Sequence, residues 1–314
     1  MHPAYSVILF TTASGAGYGL LVWLAVLQLL GVAPAEPGFV LTAFALAFGL
    51  ITVGLLSSTA HLGRPERAWR AFSQWRTSWL SREGVLALAT YVPAGLFGLC
   101  WLGVLSPRHL LLPLAVLSIV AALMTLFSTG MIYASLRTIR QWHQPLTAPI
   151  YITLGLASGA VLLNLLLRSF TPAQSWAAWL AIGSVAVAGI LKWAYWRAID
   201  GELRAYTVEA ATGLGHLGKV RPLEPPHTQP NYIMREMGYR VARRHAQKLR
   251  RLAGVFAFVV PIAACALSLT SPLGGLVGAG VAVLAMAAGL LLERWLFFAE
   301  AEHVVMLYYG ADVA

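Results

Sequence analysis

The chain has 314 residues, of which 59% are hydrophobic and only 11% are charged, and its mean hydropathy is +0.72. Soluble globular proteins carry about 25% charged residues, so this composition excludes a soluble domain and predicts an integral membrane protein. The formal net charge is +10. The apolar residues form continuous runs rather than alternating patterns, and this favours spanning helices over a β-barrel.

Eight apolar segments are long enough to cross a bilayer, which takes about 20 helical residues. We therefore predict an all-α integral membrane protein, a bundle of about eight transmembrane helices in one polytopic domain covering residues 1–314. The eighth span is the weakest, because Glu293 and Arg294 interrupt its end. The predicted spans are Val7–Gly31, Phe39–Ala60, Gly84–Leu105, Leu110–Tyr133, Pro149–Leu167, Trp176–Trp196, Leu252–Thr270 and Leu273–Leu292.

The first span carries three glycines at alternate positions, Gly15, Gly17 and Gly19. Small residues let transmembrane helices approach closely, so these three are predicted to be packing positions. Most mid-span polar residues are expected to form hydrogen bonds between helices. They include Thr11, Thr12, Ser14, Gln28 and Asn164.

Basic residues are divided very unevenly between the two faces of this predicted bundle. An even number of spans puts both termini and the three longer connections on one face. That face holds all of the 22 Lys and Arg residues except Arg108 and Arg168. By the positive-inside rule it is the cytoplasmic face, and the membrane is the inner membrane of the cell. Lys192, near the end of the sixth span, is expected to extend its amine to the surface.

The longest connection, residues 197–251, is predicted to be the only substantial segment outside the membrane. It holds a proline-rich stretch, RPLEPPHTQPNY, followed by the basic sequence MREMGYRVARRHAQKLRRLAG. In the second sequence Met237, Val241 and His245 recur at helical spacing, as in an amphipathic helix. A basic cytoplasmic loop can simply contact anionic lipid headgroups. An extended arm followed by a basic surface helix also suits the docking of a soluble partner subunit, and both interpretations stay open.

Several kinds of cofactor chemistry lack their ligands in this sequence. Cys100 and Cys265 lie far apart in apolar segments and form no CxxC motif, so an iron–sulfur cluster or structural zinc is not expected. None of the histidines falls at the middle of a predicted span, which argues against a buried bis-histidine haem. Few ionisable groups are predicted at mid-membrane and no internal repeat is evident, and this disfavours a transporter.

The stretch from His61 to Glu83, HLGRPERAWRAFSQWRTSWLSRE, gathers one His, five Arg and three Trp between the second and third spans. Pro65 suits the first turn of a helix. Aromatic residues follow at about helical spacing: Trp69, Phe72, Trp75 and Trp79. An interfacial helix with an aromatic belt explains the Trp and Arg residues. It explains His61 and Glu83 poorly, because both lie where a span meets its loop.

A quinone site would account for these two residues. A quinone ring needs apolar and aromatic walls, and its carbonyls need hydrogen-bond donors. Its reduction takes up two protons with two electrons, so a titratable group must connect the ring to water. Histidine can bond a carbonyl and shuttle a proton, and a nearby carboxylate can orient it or relay that proton. His61 and Glu83 are therefore candidate quinone-binding residues.

The element HLGRPERAWRAF followed by SWLSRE, with His and Glu 22 residues apart, resembles the membrane anchor family of dimethyl sulfoxide reductases. The resemblance implies a quinone-reactive subunit with no haem or cluster of its own. It also implies two partners, an iron–sulfur electron-transfer subunit and, through it, a molybdopterin catalytic subunit. The quinone would be ubiquinone or menaquinone. Carried onto matching positions, the resemblance makes His61 the quinone ligand and Glu83 its acidic companion, flanked by Arg64 and Arg67.

The predicted quinone site and docking loops share the basic face. Within the family this is most similar to the anchors of cytoplasm-facing sulfite dehydrogenases, and it implies sulfite oxidation with quinone reduction. Alternatives are the anchor of a dimethyl sulfoxide, polysulfide or nitrite reductase that oxidises quinol, and a purely structural anchor. A small-solute or proton-linked transporter is an alternative from another class. Membrane lipids are expected partners, nucleic acid is not, and this chain alone is expected to catalyse no substrate chemistry.

Overall fold

The computed structural model describes residues 3–60, 62–105, 108–171, 174–201, 206–224, 227–229, 231–237, 245–270 and 272–311. Within these ranges eight helices are long and apolar enough to cross a membrane. The prediction of an all-α membrane protein with eight spans is confirmed. The helices are α1 (Tyr5–Leu29), α2 (Pro37–Thr59), α3 (Trp79–Trp101), α4 (Leu111–Ala134), α5 (Thr147–Phe170), α6 (Ser175–Gly201), α7 (Ala246–Leu267) and α8 (Pro272–Ala299).

Helix α7 begins earlier than predicted. It starts at Ala246 rather than Leu252, so the end of the expected basic surface helix is the beginning of a span. A short helix, Tyr232–Met237, forms upstream, and residues 238–244 lie outside the described residues. One π-helical turn interrupts α7 just before Pro261, which has no N–H to continue the helical bonding.

Helix α8 ends later than predicted. It continues to Ala299 instead of stopping at Leu292. Glu293 is fully buried and Arg294 is 3% exposed, so the two charges lie inside the bundle and do not end the helix. Buried charges are tolerated in a membrane when they pair with one another, which is the case here.

Helices α1 and α5 form the centre of the bundle. They pack against each other, and 72% of the most apolar stretch of each is buried, against 33–39% in the other six. On one side α2, α3 and α4 complete an apolar core that includes Phe39 and Phe97. On the other side α6, α7 and α8 complete a core that includes Tyr195 and Phe297. The two central helices therefore separate two layers of three helices.

Glycine makes the close contact between α1 and α5 possible. A Cβ atom on Gly19 would overlap the backbone of Gly155, and one on Gly159 would overlap the backbone of Gly19. Gly17 has the same role against α2, because a Cβ there would lie 2.6 Å from the carbonyl oxygen of Ala47. The prediction of packing glycines is thus confirmed for Gly17 and Gly19. It is wrong for Gly15, which has open space within 4 Å of the Cβ position.

The connections after α4 and α6 meet the C-terminal segment at one end of the bundle, which we call the terminal face. Ile139 forms an isolated β-bridge with His303, and the Tyr308 hydroxyl donates to the carbonyl of Ala211 at 2.9 Å. The backbone N–H of Val305 donates to Nδ1 of His303. Burial lowers the pKa of His303, and the neutral ring is the form that can accept this hydrogen bond. The terminal face is therefore a folded layer.

An arginine also joins three spans at this face. Arg250 at the start of α7 binds Asp200 at the end of α6, with 2.7 Å between Nη1 and Oδ2. Its Nε lies 2.9 Å from Oε1 of Glu300, just after α8. The Arg250 side chain is only 15% exposed. It was predicted within the docking loop, but in the structure it ties helix ends together.

Replacing Gly19 with Ala should force α1 and α5 apart, because the new methyl group meets backbone that cannot rotate away. We expect a loss of about 1–3 kcal/mol in unfolding free energy, typical of overpacking, measured as a lower midpoint of thermal unfolding in detergent. Gly49→Ala is the matched control, since nothing lies within 4 Å of a Cβ at that position. Equal midpoints for the two variants would contradict the close contact.

Candidate functional site

The stretch between α2 and α3 is not one continuous helix. Residues Pro65–Phe72 form a 3-10 helix with Pro65 in its first turn, as predicted for that proline. Turns follow, and α3 begins at Trp79 with Ser78 as its N-cap. The aromatic residues therefore do not line one helical face. Glu83 belongs to the second turn of α3 rather than to the end of a loop.

The loop is held against the beginning of α3. Nε of Arg82 donates to the Trp75 carbonyl at 3.0 Å, and its Nη2 donates to the Arg76 carbonyl at 2.6 Å. The Phe72 ring lies on Gly84, where an added Cβ would be 2.9 Å from the ring edge. The Phe72 ring therefore covers the segment of α3 that carries the predicted acidic residue.

The predicted site residues lie in different environments. His61 lies outside the described residues. Arg64 and Arg67 are exposed in the loop. Glu83 is only 5% exposed, so the structure separates a buried carboxyl from two solvent- or headgroup-facing arginines.

Glu83 has a sparse set of polar neighbours for a buried carboxyl. The Thr129 hydroxyl on α4 lies 3.4 Å from its Oε1 and also bonds the carbonyl of Thr125 at 3.0 Å. A carboxyl in these surroundings can hold a proton or give it to a bound molecule.

A small polar cavity begins on the other side of Thr129. Its volume is about 20 Å³, which is enough for one water molecule. It lies among α1, α4, α5 and α8, and the missing side chain of Gly15 contributes to the space. Its polar lining comes from Thr11, Thr12, Ser14, Thr129, Tyr151, Ser158 and Arg294. Thr129 therefore links Glu83 to a space that can hold water.

Three polar groups around this cavity lack a hydrogen-bond partner of good geometry among the described residues. They are the Thr12 hydroxyl, the Tyr151 hydroxyl and both Nη atoms of Arg294. The Arg294 guanidinium lies over the Tyr151 ring, 4.1 Å from its centroid, and is 3% exposed. Native proteins rarely leave buried donors unpaired, and one water molecule in this cavity could bond several of these groups.

Behind Arg294 lies a buried group of three charged residues that the sequence analysis does not predict. Glu293 pairs with Lys192 of α6 on one side and with Nε of Arg294 on the other, the latter at 2.6 Å. The prediction that Lys192 reaches the surface is wrong, because the residue is 1% exposed and its amine lies 4.2 Å from the Tyr195 ring centroid. The apolar residues that follow Arg294, WLFFA, were the available signal that the helix continues past these charges.

The fold and this arrangement define a polytopic helical membrane protein with a buried polar centre near one face. Residues 1–310 match the sequence model of the family described as DMSO reductase anchor subunit (DmsC). The chain belongs to that family and is a membrane anchor subunit of the DMSO reductase type. It is similar to a sulfite dehydrogenase subunit of Allochromatium vinosum, with 35% identity over 335 positions that cover 98% of this chain and 99% of the relative. The family resemblance inferred from the motif is confirmed.

Changing Glu293 to Gln should strongly destabilise the bundle, since it leaves Lys192 and Arg294 buried without their carboxylate. Breaking a buried ion pair costs about 3–5 kcal/mol. The double variant Lys192→Met/Glu293→Gln should recover part of this loss, because only one unpaired cation remains.

Thermal unfolding of the single and double variants in detergent measures the difference. Glu66→Gln, at an exposed position of the 3-10 helix, is the control and should unfold like the original protein. A double variant that is no more stable than Glu293→Gln would contradict the pairing.

Proposed function

We propose that this chain is the quinone-reactive subunit of a membrane-bound molybdopterin and iron–sulfur oxidoreductase, and that the complex oxidises sulfite and reduces quinone. Membership of the anchor family supports the complex, and the similarity to a subunit of a sulfite dehydrogenase supports the substrate. The single observation that carries the quinone proposal is the buried Glu83, next to a polar cavity and beneath an aromatic loop.

One quinone takes two electrons from the partner's iron–sulfur clusters and two protons from water at the terminal face, and leaves as quinol. Glu83 and Thr129 hold a proton beside the ring, and His61 is the proposed ligand of a quinone carbonyl. Arg64 and Arg67 lie at the rim of the proposed site. Both are exposed, so they can contact lipid headgroups or the surface of a partner subunit.

The terminal face is the proposed docking surface for the iron–sulfur subunit, which in turn carries the molybdopterin subunit. It combines the loop between α2 and α3 with the described parts of segment 197–251, where Leu217 and Leu223 are strongly exposed at 76% and 101%. Apolar side chains exposed among basic ones are typical of protein–protein contacts. We place this face in the cytoplasm, with both termini, and the chain in the inner membrane.

Anchors of dimethyl sulfoxide, polysulfide or nitrite reductases remain the second candidate. They would use the same site to oxidise quinol, with electrons and protons moving in the opposite direction. Sulfite is favoured here because the relative belongs to a sulfite dehydrogenase and because the basic face carries both the site and the docking loops.

Changing Glu83 to Gln should lower quinone turnover by about 100-fold, within the range that a positioned proton-transfer group contributes, without preventing assembly. The purified complex is assayed with its soluble substrate and quinone, and separately with an artificial dye. Dye activity should stay near that of the unmodified complex. Glu36→Gln, exposed in the connection between α1 and α2 at the opposite face, is the control and should keep both activities.

His61→Ala should give the same pattern, with dye activity kept and quinone activity lost, because the ring loses its ligand. Normal quinone turnover in His61→Ala and Glu83→Gln would remove the site assignment. Loss of assembly in Glu83→Gln would make that residue structural.

A reporter fused to the C-terminus should report a cytoplasmic position, because eight spans and the basic terminal face put both termini there. The test uses an enzyme reporter that is active only in the cytoplasm, paired with one that is active only outside it. Activity of the second reporter alone would reverse the orientation and remove the argument for a catalytic subunit in the cytoplasm.

A further inference from the structure

A second and larger cavity opens from the surface of the bundle into its interior. It has a volume of about 220 Å³ and lies between α1, α2, α5 and α8. Its walls are almost entirely apolar and include Leu9, Leu50, Leu162, Ala287 and Leu291. Leu9 and Leu291 are 42% and 39% exposed at positions that face lipid. We call this space the lateral cleft.

The lateral cleft and the small polar cavity share one wall. Thr12, Ala16, Ser158 and Leu290 line both spaces. A molecule in the cleft therefore meets apolar side chains on the lipid side and the Thr12 hydroxyl on the inner side. Beyond that hydroxyl lie the Tyr151 hydroxyl and the Arg294 guanidinium, which neighbour each other and make no hydrogen bond of good geometry with the described residues.

The charges behind the polar cavity favour an electron-rich ligand atom. Glu293 pairs with both Lys192 and Arg294, and the guanidinium of Arg294 is the basic group that lines the cavity. The Nη donors of Arg294 that lack a partner belong to a side chain that is more than nine-tenths buried. A carbonyl oxygen on an apolar ring fits this arrangement, because the oxygen can accept from the donors of the polar cavity while the ring lies between the apolar walls of the cleft.

We propose that an isoprenoid quinone enters from the lipid through the lateral cleft and presents one ring oxygen to Thr12, Tyr151 and Arg294, directly or through one water. This assignment rests on the proposed function and adds its entrance and a second set of ligands. The cleft is large enough, because an apolar cavity of about 150 Å³ already holds a benzene-sized ring. Thr129 then places Glu83 on the other side of the same polar cavity.

Another apolar cleft on the bundle provides a contrast. It is larger, at about 440 Å³, and lies between α1, α5 and α6 with Trp23 and Trp179 in its walls. Among the described residues that line it, Thr153 and Ser184 are the only ones with a hydroxyl and none is charged. Neither hydroxyl is left both buried and unpaired. Volume alone therefore does not select the lateral cleft, whereas the unpaired donors at its inner end do.

The first experiment fills the cleft. Ala287 is exposed and lines the cleft, whereas Ala288, its exposed neighbour on α8, does not. In the purified complex, Ala287→Phe should raise the KM for quinone at least about tenfold by excluding the ring, a change equivalent to about 1.4 kcal/mol. Ala288→Phe is the matched control and should keep the original KM. Both variants should keep the dye activity.

The second experiment removes one ligand without changing volume. Thr12→Val deletes a hydroxyl that has no partner in the described structure, so it should not lower the thermal midpoint. Loss of one hydrogen bond to the ligand should raise the quinone KM about fivefold. Thr153→Val, in the contrasting cleft, is the control and should keep the original KM, because the Thr153 hydroxyl is already bonded to the carbonyls of Pro149 and Ile150.

A photoreactive azidoquinone locates the bound ring directly. Peptide mapping of the illuminated complex should find the label on α1 or α8 next to the cleft, and Ala287→Phe should abolish it while Ala288→Phe keeps it. Label confined to residues 62–83, or Ala287→Phe and Thr12→Val behaving like their controls, would overturn this proposal. Loss of a tightly bound phospholipid from Ala287→Phe with an unchanged quinone KM would also overturn it and make the cleft a lipid site.

Failure of this proposal can be told from failure of the proposed function. If Glu83→Gln slows quinone turnover while the cleft variants do not, the complex uses quinone by another entrance. If the unmodified complex shows dye activity but turns over no quinone, the proposed function itself fails.

Discussion

The close contact of α1 with α5 is the constraint on which the rest of the bundle depends. Gly19, Gly155 and Gly159 bring the two backbones together, and Trp23 adds a hydrogen bond from α1 to the carbonyl of Leu156 at 2.8 Å. Lipid provides no hydrophobic drive for helices to associate, so this packing must come from close van der Waals contact and hydrogen bonds. The other six helices pack in two layers on either side of it.

Polar groups collect beside this contact, toward the terminal face. No atom lies within 4 Å of a Cβ position on Gly15, although its carbonyl oxygen would lie only 3.0 Å from a Cβ on Gly155 of α5. The polar cavity includes this open space, with Glu83 and Thr129 on one side and Arg294 on the other. All of these residues lie within about two helical turns of helix ends at the same face. The polar cavity therefore lies close to the terminal face.

Much of the architecture was predictable from local patterns. Eight apolar runs gave the number of spans, and the HLGRPERAWRAF element gave the family, because both depend on residues that are contiguous in the chain. Two predictions failed for a common reason. The predictions for Lys192 and for the end of the eighth span at Leu292 treated each charged residue as if it faced lipid or water alone. In the fold, Lys192 and Glu293 form a buried ion pair.

By itself the sequence determined the fold class, the eight spans, the uneven distribution of charge and the candidate pair His61 and Glu83, since hydropathy and motif spacing are properties of one stretch at a time. Only the tertiary structure decided that Glu83 is buried against Thr129 and that Arg294 faces a cavity beside Tyr151. Those contacts join residues of four helices that are distant in the chain. Their distances depend on how closely glycine lets the central helices approach, which no single segment encodes.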